Sequence, residues 1–384
     1  MCIRRHDDRG QRRRAVAGWC DGGLRFQKGV DVSVTDRASP EVVELWDGER
    51  IRGWQDYHLA GVADLISAVN LSQSLLALVG SGMLDRLRQD GPCPRDALLD
   101  GLDPEVGAGF LRYLSVCGVL EEFGGAYRLT RRGTMLTSDI ALARLGFYLE
   151  AYGPVTRAMT DLLTGSARYG VDVTRAPAAL GRHSGTVSTM SYLPIVRRAM
   201  AGRSAARLID LGCGTGSLLI QLCQADPELT GVGLDIAPEA IAAARETADR
   251  AGVGDRARFA VADAFDPATW PDGCDGAEVI CGIGVLHEHF RDGDGRVVEL
   301  LDRYADILTG DRVLLIGEPE VRYDNRENDS DFFLVHVLTA QGIPRDRQGW
   351  LAVFDRTRLQ CRRLYTSAVA GPRTCFYELT PEKE

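Results

Sequence analysis

In LIDLGCGTGS, residues 208–217, an apolar pair runs through Asp210 into three glycines at alternate positions, Gly212, Gly214 and Gly216. A strand that turns at once into a ligand-facing loop needs glycine for two reasons: left-handed backbone in the turn, and close approach of the main chain to whatever binds. The spacing is G-x-G-x-G. Ser217 stands where a dinucleotide fingerprint would carry its last glycine, which sets this loop apart from the G-x-G-x-x-G type.

Outward from the loop, TGVGLDIA, ARFAVADAF, GAEVICGIGVL and DRVLLIGEP are further short apolar strands, separated by helix-like stretches such as PEAIAAARETADRAG. Strand and helix in alternation predict an α/β fold, a Rossmann-like, doubly wound and mainly parallel sheet covered on both faces. QCRRLYTSA and RTCFYELT follow with no helix between them and predict an antiparallel edge pair. Asp235 ends the second strand, where a carboxylate can accept both hydroxyls of a ribose. Asp263, followed by Ala264, ends the third, where a polar group can meet the amino group of an adenine.

The loop and the two strand-end acids resemble those of the class I S-adenosylmethionine-dependent methyltransferases, over residues 200–320. The resemblance implies S-adenosylmethionine as cofactor, held by Asp210, Gly212, Gly214, Gly216, Asp235, Asp263 and Ala264. Cys213 is common in such loops and reads as packing.

In an open parallel sheet the ligand lies beyond the carboxyl ends of the strands, so CGIGVLHEHF should face the transferable methyl group. In winged-helix O-methyltransferases of the caffeic acid and hydroxyindole type, this strand is followed by Leu-His-Asp-Trp, whose histidine is the general base. Leu286-His287-Glu288-His289 is similar in its first two residues, keeps an acid third and puts histidine in place of tryptophan. The resemblance implies catalytic roles for His287, Glu288 and Glu318, the last matching an acid that flanks the histidine. A neutral imidazole, with an ordinary pKa near ~6.5, can take a hydroxyl proton as the oxygen attacks the sulfonium methyl.

Position 289 opens a second reading. His287, His289 and His336, with Glu288 or Glu318, could supply a set of two histidines and one carboxylate for a divalent metal, iron or zinc. The chain is also similar to the non-haem-iron C-methyltransferases of α-keto acids, in which a metal polarises the acceptor toward its enol. Phe147, Tyr148, Tyr152, His289, Phe333 and His336 are the candidate acceptor contacts, with Tyr192, Phe332 and Trp350 as further candidate wall, and EPEVRYDNRENDSDF reads as a lid over the site.

Ahead of the sheet, residues 46–140 carry three helical stretches and the hairpin LEEFGGAYRL, the order of a winged-helix unit, and this unit resembles the dimerisation domain of such methyltransferases. Residues 141–200 read as a helical linker and pocket wall, and 201–384 as the cofactor-binding domain. Residues 1–45 open with Arg4, Arg5, Arg9, Arg12, Arg13 and Arg14 and read as a disordered extension.

The 384 residues carry 45 Lys+Arg against 54 Asp+Glu, a net charge of −9. An acidic chain repels a phosphate backbone, and DPEVGAGFLRYLSVCGVLEE, which would be a DNA-reading helix, holds one Arg against four acids. A DNA-binding regulator that senses S-adenosylmethionine is therefore the weaker alternative. The ten cysteines include no CxxC pair, no apolar run suggests a membrane span, and the reading is a cytoplasmic homodimer acting on a small molecule.

Overall fold

The computed structural model describes residues 48–202, 207–321, 330–366 and 374–381. The extension expected over residues 1–45 and most of the expected lid lie outside the described residues.

Strands β1 (Arg207–Leu211), β2 (Thr230–Asp235), β3 (Ala257–Val261), β4 (Val279–Ile283), β5 (Val313–Pro319), β6 (Leu359–Tyr365) and β7 (Thr374–Pro381) form one sheet in the order β3-β2-β1-β4-β5-β7-β6. The first five are parallel. Leu208–Leu211 of β1, Val279–Gly282 of β4 and Val313–Glu318 of β5 are buried throughout, as strands covered on both faces must be. One face packs on Leu218, Leu222, Ile241 and Phe259, the other on Leu300, Tyr304, Trp350 and Phe354. The strand order reverses between β1 and β4, and the crevice beyond their carboxyl ends is where a ligand is expected.

The terminal strands are antiparallel as expected, but only one is an edge. β7, last in the chain, inserts between β5 and β6. Cys375 to Thr380 are all buried whereas Gln360, Arg362 and Arg363 of β6 are exposed, so the more apolar strand takes the inner place.

The helix Gly48–Leu59 belongs to a separate unit that ends at Gly61. From Val62 onward come helices Val62–Gly80, Met83–Leu87, Arg95–Leu98 and Pro104–Val116, then the hairpin Leu120–Phe123 and Ala126–Leu129. Asp103 caps the fourth of these, accepting from the amides of Glu105 and Val106 at 3.0 and 2.9 Å. Gly124 and Gly125 turn the hairpin with φ of +55° and +86°, values that only glycine adopts without strain. Leu75, Leu78, Leu111, Leu114 and Tyr127 form the core here. The segment 93–101 is less helical than its sequence suggests. Pro94 forces extended backbone on Cys93, and the two pair as a third short strand with Ala126 and Tyr127.

Against the expectation that no stretch suggests a membrane span, Val62–Gly80, 19 residues with a mean hydropathy of 1.6, is long and apolar enough to cross a membrane by length and composition alone, a test that the core helix of a soluble protein also passes. Its polar residues are uncharged apart from Asp64, so they interrupt an apolar run without lowering the average much. Leu65, Ile66 and Val69 on it are exposed.

Residues 141–200 are mainly helical as expected, with π turns at Phe147–Ala151 and Ser188–Tyr192 that periodicity alone does not reveal. Helix Pro177–Val187 lies over the glycine loop. Its Gly181 and Gly185 approach Thr215 and Ser217 so closely that a Cβ on either would already be in contact, at 3.5 Å.

Candidate active site

The glycine loop leaves β1 with φ of +65°, +54° and +77° at Gly212, Gly214 and Gly216. A Cβ at Gly212 would overlap Val285, and one at Gly216 would lie 2.5 Å from the Phe259 ring. At Gly214 a Cβ would meet nothing within 4 Å. This glycine therefore serves conformation and leaves an open face. The Asp235 carboxylate accepts from the Gly214 amide and from the Ala237 amide, both at 2.9 Å, which ties the loop to the end of β2. Asp263 accepts from the Phe265 amide at 2.9 Å, and the carbonyl of Ala264 accepts from the buried Tyr304 hydroxyl at 2.6 Å. Cys213 packs with Phe259 around Gly233.

Beyond β4, His287 starts a short 3-10 turn, His287–Asp292. It is buried against Glu318 of β5, itself fully buried. One Glu318 oxygen accepts from the amides of Val285 and Leu286, at 3.1 and 2.8 Å, and the other lies 2.6 Å from His287 Nδ1. A carboxylate in that place makes Nδ1 the donor and turns Nε2 away from Glu318.

That Nε2 lies 3.1 Å from Nε2 of His336, whose own Nδ1 is 2.7 Å from the carbonyl oxygen of Phe332. Burial first, and then His287, push the His336 pKa down to about 4, so it is neutral near pH 7. Two imidazole nitrogens thus face each other at hydrogen-bonding distance, an arrangement that a proton or a metal ion between them would satisfy. Metal–nitrogen bonds of about 2.0–2.1 Å at angles of roughly 90–110° put two imidazole nitrogens about 2.9–3.4 Å apart, and ligating histidines characteristically donate their other N–H to a carboxylate or carbonyl. His287 and His336 would supply two of the three protein ligands that such a metal takes, and among the described residues no third is grouped with them.

His289 is not part of this pair. Two residues along a turn of three per revolution, it points elsewhere, with its ring edge-on to Phe265 at 4.5 Å. The set of His287, His289 and His336 is therefore not assembled, and among the described residues no three His, Cys, Asp or Glu side chains are grouped to hold a metal.

Glu288 accepts from Gln341 at 3.0 Å and lies 3.6 Å from Arg175, which also reaches the Tyr152 hydroxyl at 3.3 Å. Arg175 and Gln341 were not singled out from the sequence, since neither sits in a motif and only the fold brings them here. Phe147 packs on Tyr152 with ring centroids 5.0 Å apart and on Tyr148 at 5.3 Å. Phe332 lies 6.3 Å from Phe147 and 4.2 Å from the His336 ring. The Phe332 ring thus borders the histidine pair. Trp350 is fully buried among Phe290, Phe354 and Tyr377 and is core, not wall. The Tyr192 hydroxyl meets Thr374 at 3.3 Å.

Two outcomes are expected at the loop. Gly214→Val places a β-branched side chain at positive φ on the open face, and Asp235→Ala frees the Gly214 amide. Each should weaken S-adenosylmethionine binding at least tenfold, about 1.4 kcal/mol, and unchanged affinity of both variants in calorimetric titration would refute the assignment. Asp210, buried in β1, has its pKa pushed up to about 7 by burial and by Asp235. A raised carboxyl pKa means that the native state holds a proton the unfolded chain releases, so this group's stabilisation is complete below the ordinary value and is lost as pH rises through about 7. Asp210→Asn has no such loss. Its urea midpoint relative to wild type should climb from about pH 5 to about pH 8, and a constant difference would count against the raised value.

Comparison with known proteins accords with this geometry. Residues 203–320 match a family model described as a methyltransferase domain. The chain is 31% identical over 324 residues to the 2-ketoarginine methyltransferase of Streptomyces arginensis, covering 79% of this chain and 88% of that protein. It is 26% identical to the mitomycin biosynthesis 6-O-methyltransferase of Streptomyces lavendulae, over 81% of this chain and 91% of the other. The solved structure of the mitomycin 7-O-methyltransferase MmcR superposes with a TM-score of 0.60 at 24% identity, covering 87% of this chain and all of that one. With the cofactor loop at the switch point of the sheet and a relative this similar over nearly its whole length, the chain belongs to the S-adenosylmethionine-dependent small-molecule methyltransferases of secondary metabolism.

Proposed function

We propose that the enzyme methylates the carbon beside the carbonyl of an α-keto acid, with the acceptor held at the His287–His336 pair. The observation that carries this reading is the 3.1 Å approach of two Nε2 atoms whose Nδ1 atoms are both engaged. The similarity to a protein named for a keto acid, 2-ketoarginine, supports it. Iron or zinc on the two nitrogens would polarise a keto acid toward its enol. The chain's own part is to hold the pair. Glu318 and the Phe332 carbonyl orient the rings, Arg175 offers a cation to the acceptor's carboxylate, and Phe147, Tyr148, Tyr152 and Phe332 wall off water. On the cofactor side, Gly212 to Gly216 with Asp210 bring the main chain to S-adenosylmethionine, Asp235 takes the ribose hydroxyls, and Asp263 with Ala264 borders the adenine.

A second reading is O-methylation with His287 as general base, favoured by the 2.6 Å contact of His287 with Glu318 and supported by the O-methyltransferase among the relatives. There the Nε2 lone pair takes the hydroxyl proton and the carboxylate stabilises the imidazolium that results. The N-terminal helices and hairpin then serve as a winged-helix dimerisation unit, which the exposed Leu65, Ile66, Val69, Val106 and Val116 support.

The two chemistries separate in one set of assays. The purified enzyme is supplied with S-adenosylmethionine, 2-ketoarginine or phenylpyruvate, and iron(II) or zinc(II). Under keto-acid methylation, His287→Ala and His336→Ala should each lower turnover roughly 10²–10⁴-fold, the loss being copied by a chelator, with cofactor affinity unchanged. Under O-methylation the chelator is without effect and His336→Ala is mild. A metal-free His287→Ala enzyme with full activity defeats both. The dimer reading is checked by light scattering at micromolar protein, where a mass near 84 kDa, about twice the 41.9 kDa chain, is expected, and a monomer mass would contradict it.

A further inference from the structure

The chain that follows His336 returns at once to the turn that carries His287. Helix Ser330–Leu338 ends with the Gln341 amide donating to the His336 carbonyl at 3.2 Å and the Ala340 amide donating to that of Val337 at 3.3 Å. These are the paired bonds of a Schellman cap, which requires left-handed backbone at its turning residue. That residue is Ala340, with φ of +49°, the one non-glycine with positive φ among the described residues. Its Cβ is crowded there, where glycine would not be.

Two residues later Gly342 meets the His287 turn with no room for a side chain. A Cβ on it would overlap the carbonyl oxygen of His287 and lie 2.8 Å from the Phe290 nitrogen and 2.9 Å from the Glu288 carbonyl oxygen. All three are main-chain atoms, so no change of rotamer could make space. The φ of Gly342 is not left-handed, which makes glycine necessary here for approach and not for conformation. Between cap and contact, Gln341 donates to Glu288 at 3.0 Å while its amide oxygen accepts from the Thr339 hydroxyl at 3.1 Å.

We infer that the turn Thr339–Gly342 sets the spacing of His287 and His336, with Gly342 as a positioning residue for methyl transfer. The cap binds the carbonyl of one histidine and Gly342 lies against the carbonyl of the other, so a displacement at either end moves an imidazole. The inference rests on the reading of the histidine pair as the reactive site. A misplacement of about 1 Å can cost roughly 10²-fold in rate.

The test uses the full chain and compares Gly342→Ala with Ala340→Gly, which relieves the crowded cap without touching the contact. Proton–nitrogen correlation spectra of the histidine rings at one pH are the deciding measurement, with calorimetric affinity for S-adenosylmethionine and turnover of 2-ketoarginine beside it. In Gly342→Ala the signals of His287 and His336 should move while those of His58 and His183 stay, cofactor affinity should hold within about twofold, and kcat should fall about 10²-fold. Ala340→Gly should leave the spectrum and kcat as in the wild type. Unmoved His287 and His336 signals in Gly342→Ala overturn the inference whatever the acceptor. If that variant does not fold, Gln341→Met decides, since it keeps the bulk and removes the donor to Glu288; a shifted His287 signal supports the inference and a wild-type spectrum overturns it. A fully active His287→Ala enzyme would remove the functional reading of the pair while leaving the spacing result in place.

Discussion

The carboxylate of Glu318 joins two parallel strands at the carboxyl end of the sheet. It is carried by β5 and accepts from two amides and one imidazole of the turn leaving β4. A fully buried carboxylate without such donors would be strongly disfavoured, and one with three of them fixes the conformation of everything it touches. Val285 and Leu286 are held by their main chain, His287 by its ring. Once His287 is oriented, its Nε2 has one direction left, and His336 lies along it.

Around that bond the fold is arranged as a division of labour between the two halves of the switch point. β1 and β2 supply the loop and the acid that secures it, Gly214 and Asp235 sharing a hydrogen bond. β4 and β5 supply the histidine and its carboxylate. The linker helices close the remaining side, bringing Phe147, Tyr152 and Arg175 toward Glu288 and the histidine pair. The glycine loop and the histidine pair thereby stand at neighbouring strand ends of one sheet, where ligands of open parallel sheets lie.

Much of this was legible in the sequence because it is local. The glycine triplet, the acids at strand ends and the histidine after the fourth strand each lie within a few residues of an apolar run, and a strand places its next residue at a known edge of the sheet. Other features depend on elements far apart in the chain. That β7 inserts beside β5 follows from the burial of both its faces, which no single-strand pattern states. That His336 and not His289 meets His287 depends on the rotation of a short turn and on where a helix 49 residues away comes to rest.

Strand alternation and the loop at residues 208–217 by themselves determined the fold class and the place of His287 after the fourth strand, since these follow from backbone geometry over short spans, and the resemblance carried by the loop and the strand-end acids implied the cofactor. Glu318 and His336 are expected beside that histidine from the sequence, but which of His289 and His336 meets it, and what else surrounds it, was decided only in three dimensions. Arg175, Phe332, Gln341 and Gly342 carry no motif, and their roles arise from distances across elements that the sequence separates by dozens of residues. The closest of these approaches, Gly342 against the His287 turn, is made possible by a side chain that is absent, and a missing Cβ acquires meaning only when the atoms it would have struck are in place.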